Sequence, residues 1–157
     1  MPMPLLRPAT SKDTEGIVSL LGEIYAEYDC VLDVENEEKY LLDVGEFFRA
    51  SGGEFWVVED EGRIRATVAV FLSEGAGELK TLYVHRSLRR QGWGRRLVEL
   101  ATEYARRAGK ERLFLWSDTR FIEAHRLYRS MGFEECGMRE LKDVNNSIEF
   151  GFEKRLS

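Results

Sequence analysis

Cysteine, histidine and long apolar runs are all scarce in this 157-residue chain, and each shortage excludes something. Cys30 and Cys136 are too few for a disulfide framework and read as two reduced thiols, buried and inert. Scattered without ligand spacing, they and His85 and His125 give no support to a bound metal. No stretch approaches the roughly 18 apolar residues of a membrane span, and the N-terminus lacks the apolar core of a secretion signal. Residence in the cytoplasm, with no membrane partner, is the expectation. Repeats, low-complexity tracts and linkers are missing as well, so a single domain over residues 1–157 accounts for the chain. Nor is there an excess of positive charge. Lys and Arg number 23 against 28 Asp and Glu, a net charge of −5, which argues against nucleic acid as a partner.

What is present describes a soluble globular protein: 43% hydrophobic and 32% charged residues, enough for a real core. The charge is unevenly laid out. Glu23 to Glu46 holds nine acids and one base (Lys39), a local −8, so the remainder carries −5 + 8 = +3. Arg86 to Arg96 holds five arginines and no acid. Solvated faces would explain such runs. An acidic mouth beside a basic one also suits an enzyme that joins an anionic donor to a cationic acceptor.

Periodicity gives the order β-α-α-β-β-β-α-β-α-β-β. Leu5–Arg7 reads as a strand. Ser11 or Asp13 caps a helix with Ile17, Leu20, Leu21, Ile24, Tyr25 and Tyr28 on one side. A second helix is predicted over Glu35–Ala50, with Tyr40, Val44, Phe47 and Phe48 on one face, stopped by Gly52-Gly53. Glu54–Glu59 and Ile64–Leu72 are strands joined by a turn at Asp60-Glu61-Gly62. After a loop at Ser73–Gly77 comes the strand Glu78–Val84. Gly92–Ala108 carries a helical apolar stripe ending at Gly109. Leu113–Trp116 is a short apolar strand of the buried parallel kind. Phe121–Met131 is a helix, and Phe133–Leu141 and Ile148–Lys154 form a hairpin around Asn145-Asn146.

Leu82 to Gly94, Leu-Tyr-Val-His-Arg-Ser-Leu-Arg-Arg-Gln-Gly-Trp-Gly, is the stretch around which the rest is organised. A strand enters an arginine-rich loop, and two glycines open a long helix. Unpaired N–H groups and the helix dipole make such a start attractive to phosphate, and Gly92 and Gly94 allow close approach. A tight turn with solvating arginines is the plain alternative. Two common phosphate motifs fail on the letters: a P-loop needs Lys-Ser/Thr where Arg95 and Arg96 stand, and the dinucleotide fingerprint needs Gly or Ala where Leu97 stands.

Arg89-x-x-Gly92-x-Gly94 resembles the acetyl-CoA-binding motif of the GCN5-related N-acetyltransferases (GNAT). Downstream, Ala124-His125-Arg126-Leu127-Tyr128-Arg129-Ser130-Met131-Gly132-Phe133 matches that family's Ala-x-x-Leu-Tyr-x-x-x-Gly-Phe at every fixed place. The resemblance implies an α/β (α+β) fold, a mixed, mostly antiparallel sheet of six to seven strands flanked by about four helices. It also implies that the strands Glu78–Val84 and Leu113–Trp116 splay apart, with a bulge in the first, so that pantetheine enters between them. The thioester then lies beside Leu82, Tyr83 and Val84, and the diphosphate over Arg89, Arg90, Gln91, Gly92, Trp93, Gly94 and Arg95. The donor is acetyl-CoA, and no metal is involved.

Amide formation from a thioester needs a neutral amine, support for an oxyanion and a proton for the thiolate. A primary amine with a pKa of roughly 10 must lose a proton to attack. Glu78 is the candidate base, because its even spacing from Val84 puts both side chains on one face unless a bulge shifts the phase. By resemblance, the Val84 N–H supports the oxyanion and the Tyr128 phenol protonates coenzyme A; membership of the helix's apolar stripe is the plain alternative for Tyr128. Tyr25, Glu27, Tyr28 and Asp29 are candidates for acceptor binding, aromatic and acidic groups suiting an alkylammonium. Departures from the family are Arg86 in place of proline, Arg90 in place of glycine and Phe121 in place of asparagine. His85 and His125 read as surface or hydrogen-bonded side chains, with His85 a distant second candidate for the base. The reading is direct acetyl transfer to a small-molecule amine acceptor, with a peptide amine or a non-catalytic acyl-CoA sensor as rivals. The final hairpin, with Phe150 and Phe152, is a candidate for pairing into a homodimer.

Overall fold

The computed structural model describes residues 3–156. Its strands are β1 (Leu5–Pro8), β2 (Glu54–Asp60), β3 (Arg63–Ser73), β4 (Ala76–Val84), β5 (Arg112–Asp118), β6 (Glu134–Glu140) and β7 (Ile148–Arg155). Its α-helices are α1 (Thr14–Glu27), α2 (Trp93–Arg107) and α3 (Ile122–Ser130). The strands form one seven-stranded sheet in the order β1-β2-β3-β4-β5-β7-β6. Every neighbouring pair is antiparallel except β4 with β5. The fold is the expected mixed α/β arrangement.

Alternating side chains send apolar groups to both faces of the sheet, giving two clusters. One joins Val58, Val68, Val70, Leu79, Leu113 and Leu115 to the stripe of α2 (Leu97, Val98, Ala101, Ala105) and to Tyr128 of α3. The other joins Phe55, Val57 and Ala69 to Ile17, Leu20, Leu21 and Ile24 of α1 and to Leu41, Val44 and Phe48. The helix stripes read from the sequence are therefore largely core, with Tyr25 and Tyr28 only half-buried and Ala108 exposed. The two thiols are not the buried pair expected: Cys30 is half-buried and Cys136 exposed, because it lies on the edge strand β6. β5 alternates more than a doubly buried strand would, with Leu113, Leu115 and Ser117 buried and Phe114 and Trp116 half-buried.

Four boundaries differ from the sequence reading. Of the two cap candidates, Asp13 is the N-cap position of α1 but makes no cap bond there, and the turn leading into the helix is capped by Thr10 rather than Ser11. Thr10 N–H donates to Asp13 Oδ2 at 2.7 Å while the Thr10 hydroxyl accepts from Lys12 N–H, closing a capping box around a 3-10 turn. The second helix over Glu35–Ala50 does not form as one α-helix. It is a 3-10 turn (Lys39–Asp43) followed by a π turn (Gly45–Arg49). Asp33 and Glu38 explain the break: the Asp33 carboxylate takes the Asn36 N–H and the Glu38 carboxylate takes the Asp33 N–H at 2.8 Å, competing with helical bonds. The predicted face survives in part, with Val44 and Phe48 buried and Phe47 39% exposed. The loop at Ser73–Gly77 shrinks to a turn at Glu74-Gly75, and Gly77 lies within β4 where a Cβ would sit 3.1 Å from Ala105 of α2. Finally, Phe152 does not present an interface. It is fully buried in the chain's own core, because β7 is an interior strand between β5 and β6.

Candidate active site

β4 and β5 share only three rungs, Ala76 with Arg112, Gly77 with Leu113 and Glu78 with Phe114. Beyond Glu78 they part, β5 remaining paired along its whole length with β7. The register of β4 against β3 steps from Lys80–Ala69 to Tyr83–Thr67, one extra residue on β4, and Thr81 sits there at φ +57°. This is a bulge, and it reverses the phase of the strand. Leu82 and Val84 pack toward α2 and α3, whereas Tyr83 packs toward α1. Upstream of the bulge, Lys80 lies 3.6 Å from Glu78 and over the Tyr40 ring, on the α1 side. Glu78 and Val84 therefore do not share a face: the bulge shifts the phase, the exception to which the even spacing was subject.

His85 N–H donates to the Arg65 carbonyl at 2.7 Å. Antiparallel alternation then turns the main-chain groups of Val84 away from β3 and into the gap. The Val84 carbonyl is already taken by Arg89 Nε at 2.9 Å, leaving the N–H facing the opening.

The loop after β4 is folded by its own side chains. His85 Nδ1 accepts from Ser87 N–H, capping a short turn at Arg86–Leu88. Arg90 (φ +63°) and Gly92 (φ +84°) are both left-handed, which accounts for glycine being common at the Arg90 place in the resembling family. The first bond of α2 runs from Arg96 N–H to the Gly92 carbonyl, so the N–H groups of Trp93, Gly94 and Arg95 have no helical partner. They form an anion cradle at the positive end of a 15-residue helix. A Cβ on Gly94 would stand 3.2 Å from Leu127 of α3, so glycine there also sets how closely the two helices approach. Trp93 is buried under Arg96, whose guanidinium lies 4.6 Å from the ring centroid. Arg89 does not reach toward this cradle. Its guanidinium makes two bonds to Glu27 (2.8 and 3.0 Å) besides the Val84 carbonyl, strapping α1 to the loop. Arg95 bonds the Ser130 hydroxyl at 3.0 Å, and Gln91 the Ser87 carbonyl at 3.1 Å.

Tyr128 closes the gap from the α3 side. Its ring lies between Phe133 and Phe152, with centroids at 5.8 and 5.6 Å, and its hydroxyl bonds no described residue. Burial raises its pKa well above that of a free phenol, so it keeps its proton. His125, one turn earlier, is buried and bonded through Nε2 to Ser117 Oγ at 3.0 Å. Burial lowers its pKa and favours the neutral ring. His85 Nε2 turns to Glu23 at 3.0 Å, away from the gap.

A cavity of about 800 Å³ runs from Gly92 and Trp93 past Leu82 and Tyr128 to Tyr25 and Glu38. At its far end Tyr25 donates to Glu38 Oε1 (3.2 Å) and meets the Tyr83 hydroxyl at 3.4 Å. Tyr28 and Tyr83 both stand edge-on to Phe121, which is thus an aromatic wall. Of the predicted acceptor residues, Tyr25 and Tyr28 line this end, whereas Asp29 is exposed on a left-handed turn outside the lining. Acids that do line the cavity near Tyr25 include Glu38, which falls within the stretch expected as the Glu35–Ala50 helix and was not singled out. The roof is tied by Asn145, whose side chain bonds both N–H and C=O of Val31, 114 residues away, at 2.8 Å each. Arg120 Nη2 holds the Asn145 carbonyl at 2.8 Å. No sequence signal marked Asn145 beyond a turn.

Among the described residues no group of three or more His, Cys, Asp or Glu side chains is arranged for a metal, and no helix is long and apolar enough to cross a membrane. A splayed sheet with an amide cradle on one side of the gap and an acidic, aromatic wall on the other defines a class, the acyl-CoA-dependent transferases. The family model Acetyltransferase (GNAT) family matches residues 19–133. An uncharacterized N-acetyltransferase of Escherichia coli, YjgM, is 28% identical over 90% of this chain and 95% of that protein. The aminoalkylphosphonate N-acetyltransferase of Salmonella typhimurium is 30% identical over 90% of this chain and 92% of that protein. Among solved structures, a GNAT-family acetyltransferase of Staphylococcus aureus superposes with a TM-score of 0.86 over 99% of this chain and 100% of the other, at 19% identity. A Salmonella typhimurium acetyltransferase crystallised with acetyl-CoA, yncA, gives 0.74 over 99% and 95%, also at 19% identity. At those identities the superpositions speak for the fold. The chain belongs to the GNAT family and is an acetyl-CoA-dependent N-acetyltransferase.

Proposed function

We propose that the protein transfers acetyl from acetyl-CoA directly to the primary amine of a cationic small molecule, both substrates being bound at once. One observation carries this reading: a single cavity runs through the gap in the sheet, from free helix amides to a wall of phenols and carboxylates. On the donor side the N–H groups of Gly92 to Arg95 hold the diphosphate, and the pantetheine arm pairs with the main chain of Leu82 to Val84. The Val84 N–H supports the oxyanion, an interaction worth roughly 3 kcal/mol in comparable sites. Tyr128, being already protonated and unpaired, gives its proton to the thiolate as the C–S bond breaks and takes back the extra proton of the newly acylated nitrogen. On the acceptor side Tyr25, Tyr28 and Phe121 surround the alkylammonium. Its proton leaves to a carboxylate on that face, for which Glu78 is the candidate that β4 itself supplies.

A second reading is favoured by Lys80, Arg120 and Arg139, which line the same end of the cavity. They would suit an amine that also carries an anionic group, as in the substrate for which the Salmonella relative is named. Thiol release measured over diamines, amino sugars, aminoalkylphosphonates and peptides separates the readings. Turnover with diamines supports the first. Turnover restricted to aminoalkylphosphonates supports the second, turnover restricted to peptides replaces both, and acetyl-CoA binding without turnover makes the protein a sensor.

A further inference from the structure

Three hydroxyl and carboxyl groups on the acceptor side are joined in a line that ends at the gap. Glu38 Oε2 accepts the Asp33 N–H at 2.8 Å, and its Oε1 accepts from Tyr25 at 3.2 Å. Tyr25 in turn lies 3.4 Å from the hydroxyl of Tyr83, the residue next to Val84. Each phenol has one proton. With Glu38 ionised, Tyr25 must donate to it, so the Tyr25 oxygen accepts from Tyr83. The lone pairs of Tyr83 are then left for a donor entering the gap. The line therefore has a direction, out of the gap and toward Glu38.

We propose that Glu38 receives the proton of the attacking amine, passed through the hydroxyls of Tyr83 and Tyr25. The proposal rests on the direct-transfer reading above and makes Glu78 the competing destination. The amine's N–H bond breaks as a proton moves to the Tyr83 oxygen. The Tyr83 proton moves to Tyr25, and the Tyr25 proton to Glu38 Oε1. Both phenols end as they began, and the amine is left with the lone pair that forms the C–N bond. Glu38 later returns the proton to water. Neither phenol has to ionise at rest, and burial holds both well above the ordinary phenol range.

Glu78 is the weaker destination on geometry. It stands at the closed end of the gap, still paired with Phe114, and faces Lys80 at 3.6 Å. The groups around Glu38 are Tyr25 from α1, Asp33 and Glu37 of its own loop, and Tyr40 two residues on. From the sheet, Glu78 of β4 and Glu149 of β7 act on the same Tyr40, over which Lys80 sits. Desolvation and the neighbouring acids raise the Glu38 pKa, which makes it a stronger base than a solvated carboxylate. A group with a raised pKa is active above that value, so the rate should rise with pH as Glu38 ionises.

The test uses the full chain, acetyl-CoA and two probe amines: 1,4-diaminobutane, charged at neutral pH, and 2,2,2-trifluoroethylamine, largely neutral there. With diaminobutane, Glu38→Gln and Tyr83→Phe should each lower kcat/KM about 100-fold, and the double variant no further, because the groups act as one unit. The acid limb of the pH profile should disappear in Glu38→Gln and persist in Glu78→Gln. With trifluoroethylamine the same variants should match the parent, since no proton has to leave before attack. Equal losses on both amines would mean a structural role and overturn the relay. So would an acid limb that vanishes only in Glu78→Gln. If the parent protein acetylates neither amine, the cationic-acceptor reading falls and the relay with it. An active parent with a fully active Glu38→Gln removes the relay alone.

Discussion

The two sides of the gap are built in different ways. On the side proposed for the donor, two α-helices of 15 and 9 residues and a bulged strand leave main-chain groups open to the gap: amides at the start of α2 and the N–H of Val84. On the acceptor side, short 3-10 and π turns and two loops are held by side chains, Glu38 on Asp33, Asn145 on Val31 and Arg120 on Asn145. Main-chain groups are the same whatever residue carries them, so the donor side keeps its chemistry through most substitutions. A wall made of side chains changes whenever one of them does. The contrast explains why one half can stay fixed on a single coenzyme while the other is free to select among amines.

Substitutions that hit one side only are the sharpest check of that division. Tyr128→Phe should lower kcat roughly 100-fold with little change in KM for acetyl-CoA, measured by thiol release at saturating donor. Unchanged turnover would remove the general acid from the donor side. Arg89→Ala should raise KM for acetyl-CoA about tenfold, equivalent to about 1.4 kcal/mol, by freeing the Val84 carbonyl and the end of α1. An effect on acceptor KM of equal size would show that the strap serves both sides. Asn145→Ala should loosen the roof and raise acceptor KM severalfold, about 1 kcal/mol, with donor KM untouched. Faster hydrogen exchange confined to residues 29–33 would accompany it.

The smallest effect lies away from both substrates. Arg7 bonds Asp13 at 2.8 Å and holds its carboxyl below the usual carboxylate range. A depressed folded-state value means that Asp13 contributes stability above its unfolded value of about 4, and that this is lost as pH falls through the folded value. As pH falls from about 5 to about 2, the melting temperature of Asp13→Asn should fall less than that of the parent, and kcat should match the parent at neutral pH. A changed kcat would extend the site beyond the cavity.

Most of the donor side was legible in the letters because its chemistry is written locally. Strand, arginine-rich loop, Gly92 and Gly94 and an apolar helix follow one another without interruption, and the match around Tyr128 adds the facing helix. The resemblance implied a bulge in β4, and one is present, but its position, and with it the phase of the strand, was not legible. Thr81 is not a residue that announces a left-handed turn, and the bulge it makes is fixed by pairing with β3. The helix expected over Glu35–Ala50 had the right apolar spacing, but Asp33 and Glu38 spend their carboxylates on the backbone instead. Glu38 escaped notice for the same reason, and Asp29, named as an acid beside the aromatics of the first helix, turns out on a left-handed turn outside the cavity lining. Asn145 meets Val31 across 114 residues, a distance over which no sequence pattern reports.

With only three rungs between β4 and β5, the sheet is nearly two sheets: β1 to β4 with α1 on one plate, β5 to β7 on the other. An extended arm laid along the opening acts as a guest strand that supplies the missing ladder. Donor occupancy should therefore knit the plates into one cooperative unit, visible as a melting transition that both rises and steepens as the coenzyme is added.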